Sequence, residues 1–174
     1  MPWRLSVRPA SCPVTVSETP VKLTDGGNAG RAIDSGLVMA SPDFFGTMRV
    51  RLVRGRDFSK ADGPGAPFVA IVNQRLAAMA WPGQNPVGRH LDAWNRKGVE
   101  VIGVIADSRD REVHERSEPT VYLAFDQQQT MGGALELRCR GPLPPIESAV
   151  RQIVKSSAPG YEVSRASSAS FNLA

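Results

Sequence analysis

The residues best placed to do chemistry lie in the stretch W-P-G-Q-N-P-V-G-R-H-L, which runs from Trp81 to Leu91. Its glycines precede Arg89 and His90 with the spacing of the G-x-x-x-x-G-K-[ST] loop that holds nucleotide phosphates. That loop needs a Lys ammonium for the phosphates and a Ser or Thr hydroxyl for Mg²⁺, and neither is present here. It also follows a strand and opens a helix, whereas residues 73–80 read as a helix and residues 87–94 as a strand. The sequence therefore argues against nucleotide binding.

The histidines and acidic residues give no catalytic or metal-binding pattern. His90 alternates with apolar strand positions, which predicts a surface position, and His114 lies in a highly charged stretch, residues 107–119. That stretch also contains five acidic residues, but three arginines alternate with them, so a solvated loop is expected rather than a cation site. The acidic residues are Asp107, Asp110, Glu112, Glu115 and Glu118, and the arginines are Arg109, Arg111 and Arg116.

Nucleophile candidates are equally isolated. Ser41, Ser108 and Ser117 lack the G-x-S-x-G turn that activates a hydrolase serine. Cys12 and Cys139 are too few and too widely spaced for a metal site, and Cys139 reads as a strand residue. We therefore predict no catalytic residue, no metal ligand and no cofactor, and expect that the protein is not an enzyme.

Composition limits the class of protein. The chain has 174 residues, 41% of them hydrophobic and 22% charged, which is typical of one ordinary folded domain or two small ones. The net charge is +4, but the basic residues are scattered and only 6% of residues are aromatic, so a nucleic-acid partner is not expected. No window approaches eighteen consecutive apolar residues, so no transmembrane span is predicted.

The order of elements predicts an α+β fold. Residues 1–35 are rich in Pro, Thr, Gly and Ser and are expected to be loose or disordered. Ser41 and Pro42 are typical of a helix N-cap and first turn, and Asn73 is typical of the cap of a second helix. Strands are expected at residues 36–40, 50–55, 67–72, 87–94, 99–106, 120–125, 134–140 and 161–164, with a turn at residues 95–98 and a helix at residues 145–156. The last third thus reads strand, strand, helix, strand, which is typical of half of a ferredoxin-like sandwich.

The chain resembles the MacB-like periplasmic core domain of FtsX/MacB-type ABC transporter permeases over residues 36–165, and most closely the acidobacterial duplicated orphan permease group. The resemblance is carried, in consistent order, by V-M-A-S-P-D-F-F-G-T-M, L-V-R-G-R-D-F, V-A-I-V-N-Q-R-L-A, W-P-G-Q-N-P-V-G-R-H-L, V-E-V-I-G-V-I-A-D-S-R and E-P-T-V-Y-L.

The resemblance implies an architecture. Residues 36–110 would form a sabre-like α+β subdomain, residues 118–166 part of a ferredoxin-like porter subdomain, and residues 167–174 a tail. In the family the W-P-G segment joins a helix to a strand. Because Trp81 stands beside a proline turn, its ring is expected to pack under the loop. The residues expected to matter are structural, and they are Ser41, Pro42, Gly55, Pro82, Gly83, Pro86 and Gly88.

The resemblance also implies a function. The domain would lie at the periplasmic face of the bacterial inner membrane and couple the motion of membrane helices to efflux, without chemistry of its own. Its partners would be the transmembrane part of the permease and a separate ATPase subunit, and a second copy of the chain is a further candidate. Family members carry membrane helices and a β-α unit that this sequence does not show, so we expect a fragment of a larger permease. The alternative is a free-standing soluble docking module derived from that domain.

Overall fold

The computed structural model describes residues 2–8, 18–26, 28–107, 118–127, 133–138, 143–157 and 162–168. The chain divides into two compact units, one formed by Val16–Gln128 and the other by Met1–Thr15 with Gln129–Ala174. His114, Cys12, Cys139 and most of the charged stretch at residues 107–119 lie outside the described residues. No helix in these ranges is long and apolar enough to cross a membrane.

A seven-stranded mixed sheet forms the unit Val16–Gln128. Its strands stand in the order β4-β7-β5-β8-β3-β2-β6, and β6 also pairs with β7. Six of the strands therefore form a closed ring, from β7 through β5, β8, β3, β2 and β6 back to β7, with β4 outermost. The strands are β2 (Glu18–Leu23), β3 (Ala32–Ala40), β4 (Leu52–Gly55), β5 (Val69–Asn73), β6 (His90–Ala93), β7 (Arg96–Ile105) and β8 (Thr120–Ala124).

The two faces of this sheet carry two apolar clusters. One contains alternate residues from all six ring strands, such as Val21, Leu37, Val72, Leu91 and Val121. The other lies on the opposite face around Ile71, Ile102 and Tyr122. Strand β5 is buried at every residue because it contributes to both clusters.

An irregularity in β7 lets this one strand serve both clusters. Ala70 and Ile71 pair with Val101 and Gly103, so Ile102 is an extra residue and the register shifts there. A bulge reverses the alternation of facing side chains. Val101 and Val104 accordingly share one cluster, and Ile102 and Ile105 share the other.

Two short helices close these clusters. Helix α1 (Phe44–Met48) adds Phe45 to the second cluster, where its ring meets Tyr122 edge to face at 5.0 Å between centroids. Burial in this aromatic environment raises the pKa of Tyr122 to about 12. Helix α2 (Gln74–Ala80) places Leu76, Ala77 and Ala80 in the first cluster.

The second unit contains a three-stranded antiparallel sheet in the order β10-β1-β9. Its strands are β1 (Pro2–Arg8), β9 (Gly133–Arg138) and β10 (Glu162–Ser168), and helix α3 (Leu143–Ser157) connects β9 to β10 and contacts β10. The predicted strand, helix and strand at the end of the chain are thus present, with somewhat different bounds.

The prediction of a loose segment over residues 1–35 was wrong where the structure describes it. Strand β1 lies in one sheet, and β2 and the start of β3 lie in the other. In β2 the inward Val21 and Leu23 are buried while Pro20 and Lys22 are exposed. Only two apolar residues alternate in this short strand, and Pro20 interrupts the pattern. A strand with so few apolar residues shows no clear alternation and is difficult to recognise from the sequence.

The boundary between the two predicted subdomains was also wrong. The strand expected at residues 120–125 was assigned to the porter-like part, but β8 pairs with β3 and β5 inside the seven-stranded sheet. Four consecutive buried residues in β8 are what a central strand with both faces covered requires. Residues 167 and 168, expected in a tail, are the last residues of β10.

Two local predictions were corrected as well. Helix α1 begins after Asp43, which adopts the left-handed conformation and makes no side-chain cap, so Ser41 is not the N-cap and Pro42 is not its first residue. The turn expected at residues 95–98 lies at Trp94 and Asn95, because Ala93 pairs with Arg96. The strand expected at residues 87–94 begins only at His90.

Candidate functional surface

The loop between α2 and β6 connects a helix to a strand, in the predicted order and opposite to that of a phosphate-binding loop. Gly83 and Gly88 both have positive φ, at 70° and 84°, which favours glycine. The Gly88 N–H donates to the carbonyl oxygen of Val101 at 2.8 Å, and the Val101 N–H donates to that of Arg89, also at 2.8 Å. The loop is therefore fixed to β7 by its backbone.

Trp81 lies where the sequence predicted, beneath this loop. It is 2% exposed and belongs to the cluster inside the ring of strands. Above it, the Arg89 guanidinium donates to the side-chain oxygen of Gln84 at 2.9 Å. Arg89 thus connects two parts of the loop through its side chain.

Asn73 begins α2 and joins it to β8. Its side-chain oxygen accepts hydrogen bonds from the backbone nitrogens of Leu76 at 2.9 Å and Thr120 at 3.0 Å. Its side-chain nitrogen donates to the carbonyl oxygen of Glu118 at 2.8 Å. The predicted cap is confirmed, and the buried amide has a second role that the sequence did not reveal.

Gly55 ends β4 at a close crossing with β7. Its φ is +76°, and a Cβ atom there would overlap the carbonyl oxygen of Ile102. A Cβ on Gly103 would lie 2.5 Å from the carbonyl oxygen of Arg56. Both strands therefore need glycine at this crossing. Gly55 was predicted to matter, whereas Gly103 was missed because nothing in V-I-G-V-I indicates a neighbouring backbone.

A buried carboxylate holds the loop that follows β4. Asp62 accepts two hydrogen bonds from the Arg56 guanidinium, at 2.7 and 2.8 Å, and others from the backbone and hydroxyl of Ser59. The bond from Arg56 is the main cause that lowers the pKa of Asp62 to about 2. We call these three residues the Arg56–Asp62 clasp. The sequence showed only a polar loop here.

A shallow groove of about 200 Å³ lies between β4 and the α2 loop. Its apolar lining includes Ala77, Trp81, Pro86 and Val104, and Val53 and Arg54 form part of its rim.

Of the predicted structural residues, Gly83 and Pro86 line this groove. Gly55 follows Arg54 directly, Gly88 is fixed to β7, and Pro82 is exposed in the turn. Ser41 and Pro42 lie elsewhere, before α1.

The predicted surface position of His90 is confirmed. Its backbone nitrogen donates to the Asp25 carboxylate at 2.8 Å, and its ring Nδ1 lies 3.3 Å from the same oxygen. Within the described ranges, no three His, Cys, Asp or Glu side chains come together as a metal ion would require.

Comparison with known proteins identifies the family. The model of the MacB-like periplasmic core domain matches residues 5–166. The chain is similar in structure to the periplasmic region of MacB from Actinobacillus actinomycetemcomitans, with 12% identity and a TM-score of 0.65, covering 95% of this chain and 70% of that one. It is also similar to the extracellular domain of the noncanonic ABC-type transporter YknZ from Gram-positive bacteria, with 15% identity and a TM-score of 0.60, covering 93% and 80%.

None of the curated protein sequences matches the chain. At these identities the two structural matches show the fold alone, whereas the family match spans most of the sequence. The chain belongs to the MacB-like periplasmic core domain family of ABC transporter permeases.

Proposed function

We propose that this chain is the extracytoplasmic part of an ABC transporter permease and that it couples movement of membrane helices to the handling of a transported substrate. The ATP would be hydrolysed by a separate subunit, and the domain itself would be non-catalytic. The unit Val16–Gln128 would be the sabre-like part, and the unit containing α3 would be the porter-like part.

The observation that carries this proposal is the pairing of the first and last strands. In the sheet β10-β1-β9, Trp3 pairs with Ser168 and Arg4 with Ser167. Chain preceding β1 and chain following β10 would therefore leave the same end of the sheet side by side. Two membrane segments attached there would act on the same sheet. Their movement would therefore displace that sheet as a rigid body.

The construction of the larger unit supports the same proposal. A part that transmits motion must resist deformation, and the ring of six strands is closed around a packed interior. The glycine crossing of β4 and β7 and the Asn73 bridge add contacts that tolerate little displacement. None of these features forms a set of groups suited to acid–base catalysis.

Cysteine labelling of the full gene product in unlysed spheroplasts tests this placement. Lys97 is exposed, so Lys97→Cys, with Cys12 and Cys139 replaced by serine, would report the location of the domain. We expect a membrane-impermeant maleimide to label position 97 in spheroplasts without lysis, and the protein to sediment with membranes. Labelling only after lysis, with the protein in the soluble fraction, would instead support the free-standing docking module.

A further inference from the structure

Strand β4, whose Val53 and Arg54 line the groove, lies in an arginine-rich segment. The segment from Thr47 to Arg56 contains four arginines and no acidic residue. The Arg56 guanidinium is held by Asp62. Arg49, Arg51 and Arg54 are exposed, and their guanidinium groups meet no carboxylate among the residues that the structure describes. We call these three residues the arginine edge.

The exposed arginines are explained in part by the need to prevent an outermost strand from pairing with another strand. Strand β4 is the outermost strand of the sheet as described, and it is only four residues long. Its register with β7 shifts between Leu52 and Arg54. Short length, irregular register and charged side chains all discourage pairing with another strand. A partner at this edge would therefore bind through side chains and not by extending the sheet.

The need to prevent β4 from pairing with another strand does not explain the groove. Of the lining residues that the structure describes, Arg54 is the single charged one, and Gln74 and Gln84 add neutral amides to the walls. Its apolar lining of Ala77, Trp81 and Val104 offers space for one small apolar side chain. An exposed arginine at the rim of this small depression favours a ligand that is both acidic and locally apolar.

We propose that the arginine edge and its groove form a docking site for a short acidic segment of a partner protein, with an apolar side chain in the groove and carboxylates on the arginines. Arginine is suited to this because its planar guanidinium binds carboxylates with two parallel hydrogen bonds. The site goes beyond the coupling function, since it concerns a partner outside the membrane and can be tested on the chain alone.

Selection from a display library of short random peptides on the full chain tests the proposal. We expect enriched peptides in which Asp or Glu residues flank an apolar residue. Measured by fluorescence anisotropy, an enriched peptide should bind about tenfold more weakly to Arg54→Glu and to the double variant Arg49→Glu/Arg51→Glu. Ala78→Trp, which fills the groove from the exposed side of α2, should weaken binding without changing the net charge.

Lys97→Glu is the matched control, since this exposed residue makes the same charge change away from the groove. Equal weakening by Lys97→Glu would show attraction to net charge alone and would overturn the proposal. Enrichment of neutral or basic peptides, or of none, would overturn it too. So would binding to phosphatidylglycerol vesicles that is lost in Arg54→Glu while no peptide binds, because the edge would then recognise a lipid surface.

Discussion

Asn73 and Thr120 are joined by a 3.0 Å hydrogen bond from the Thr120 backbone nitrogen to the Asn73 side-chain oxygen, which also caps α2. One buried amide thereby connects the start of a helix to the start of a strand that follows 47 residues later. The bond fixes the chain at the point where it re-enters the sheet after the charged stretch at residues 107–119.

Replacement of this amide should be costly. Asn73→Ala removes the cap, worth about 1 kcal/mol, and leaves the Thr120 N–H and Glu118 carbonyl without this partner, which adds about 1–3 kcal/mol. We expect the free energy of unfolding, measured by urea denaturation, to fall by about 2–4 kcal/mol. Gln74→Ala, one residue further and exposed, should change it by less than about 0.5 kcal/mol. Equal effects from the two variants would contradict the assigned role.

The glycine crossing gives a second prediction. Gly55→Ala places a methyl group into the carbonyl oxygen of Ile102 and keeps a positive φ, so we expect a loss of more than about 2 kcal/mol. Gly83→Ala has a similar φ of +70° but nothing within 4 Å of the new atom, so only the backbone penalty of about 1 kcal/mol applies. Thermal denaturation of both variants separates the two costs, and a smaller loss for Gly55→Ala would contradict the close approach.

The Arg56–Asp62 clasp makes stability depend on acid pH. The pKa of Asp62 falls from an ordinary 3.8 to about 2 on folding, so the folded state favours the ionised carboxylate. The stabilisation, on the order of 2 kcal/mol, is complete above the unfolded pKa. It is lost as the pH falls from about 4 to about 2, because the unfolded chain takes up the proton first.

Asp62→Asn should remove this dependence. We expect the variant to be less stable than the wild type at pH 7 and nearly as stable near pH 2, where about half of the folded molecules carry a protonated Asp62 and most of the stabilisation is lost. Asp126→Asn is a suitable control, since Asp126 is exposed. Parallel stability curves for the wild type and Asp62→Asn across this pH range would show that the clasp does not contribute.

Individual helices and strands were predictable where the hydrophobic pattern and the capping residues indicated the same element. Asn73 followed by a periodic apolar face predicted α2, and the apolar runs predicted β5, β7 and β8. The pattern could not show which sheet each strand enters, because β8 finds partners 80 or more positions away, at β3, as well as at β5. It also missed β2, which is a strand only because β3 and β6 lie on both sides of it.

The candidate surface was less predictable, because it depends on contacts between distant residues. Gly83 and Pro86 were expected to shape a turn, and they also line a groove with Val53 and Val104. The Arg56–Asp62 clasp leaves no pattern in the sequence, since any arginine and aspartate in a polar loop look alike. Only the structure shows which arginine binds Asp62 and which three meet no carboxylate among the described residues.

The coupling function is tested most directly by a distance measurement in the full-length permease reconstituted with its ATPase. One nitroxide would be placed at Lys97→Cys and a second in a flanking membrane segment, and electron–electron double resonance would compare the nucleotide-free and vanadate-trapped states. A second pair, Lys97→Cys and Lys60→Cys, lies within one unit and is the control. The account predicts that trapping shifts the first distance and leaves the control unchanged. An unchanged first distance, with the ATPase active, would contradict it.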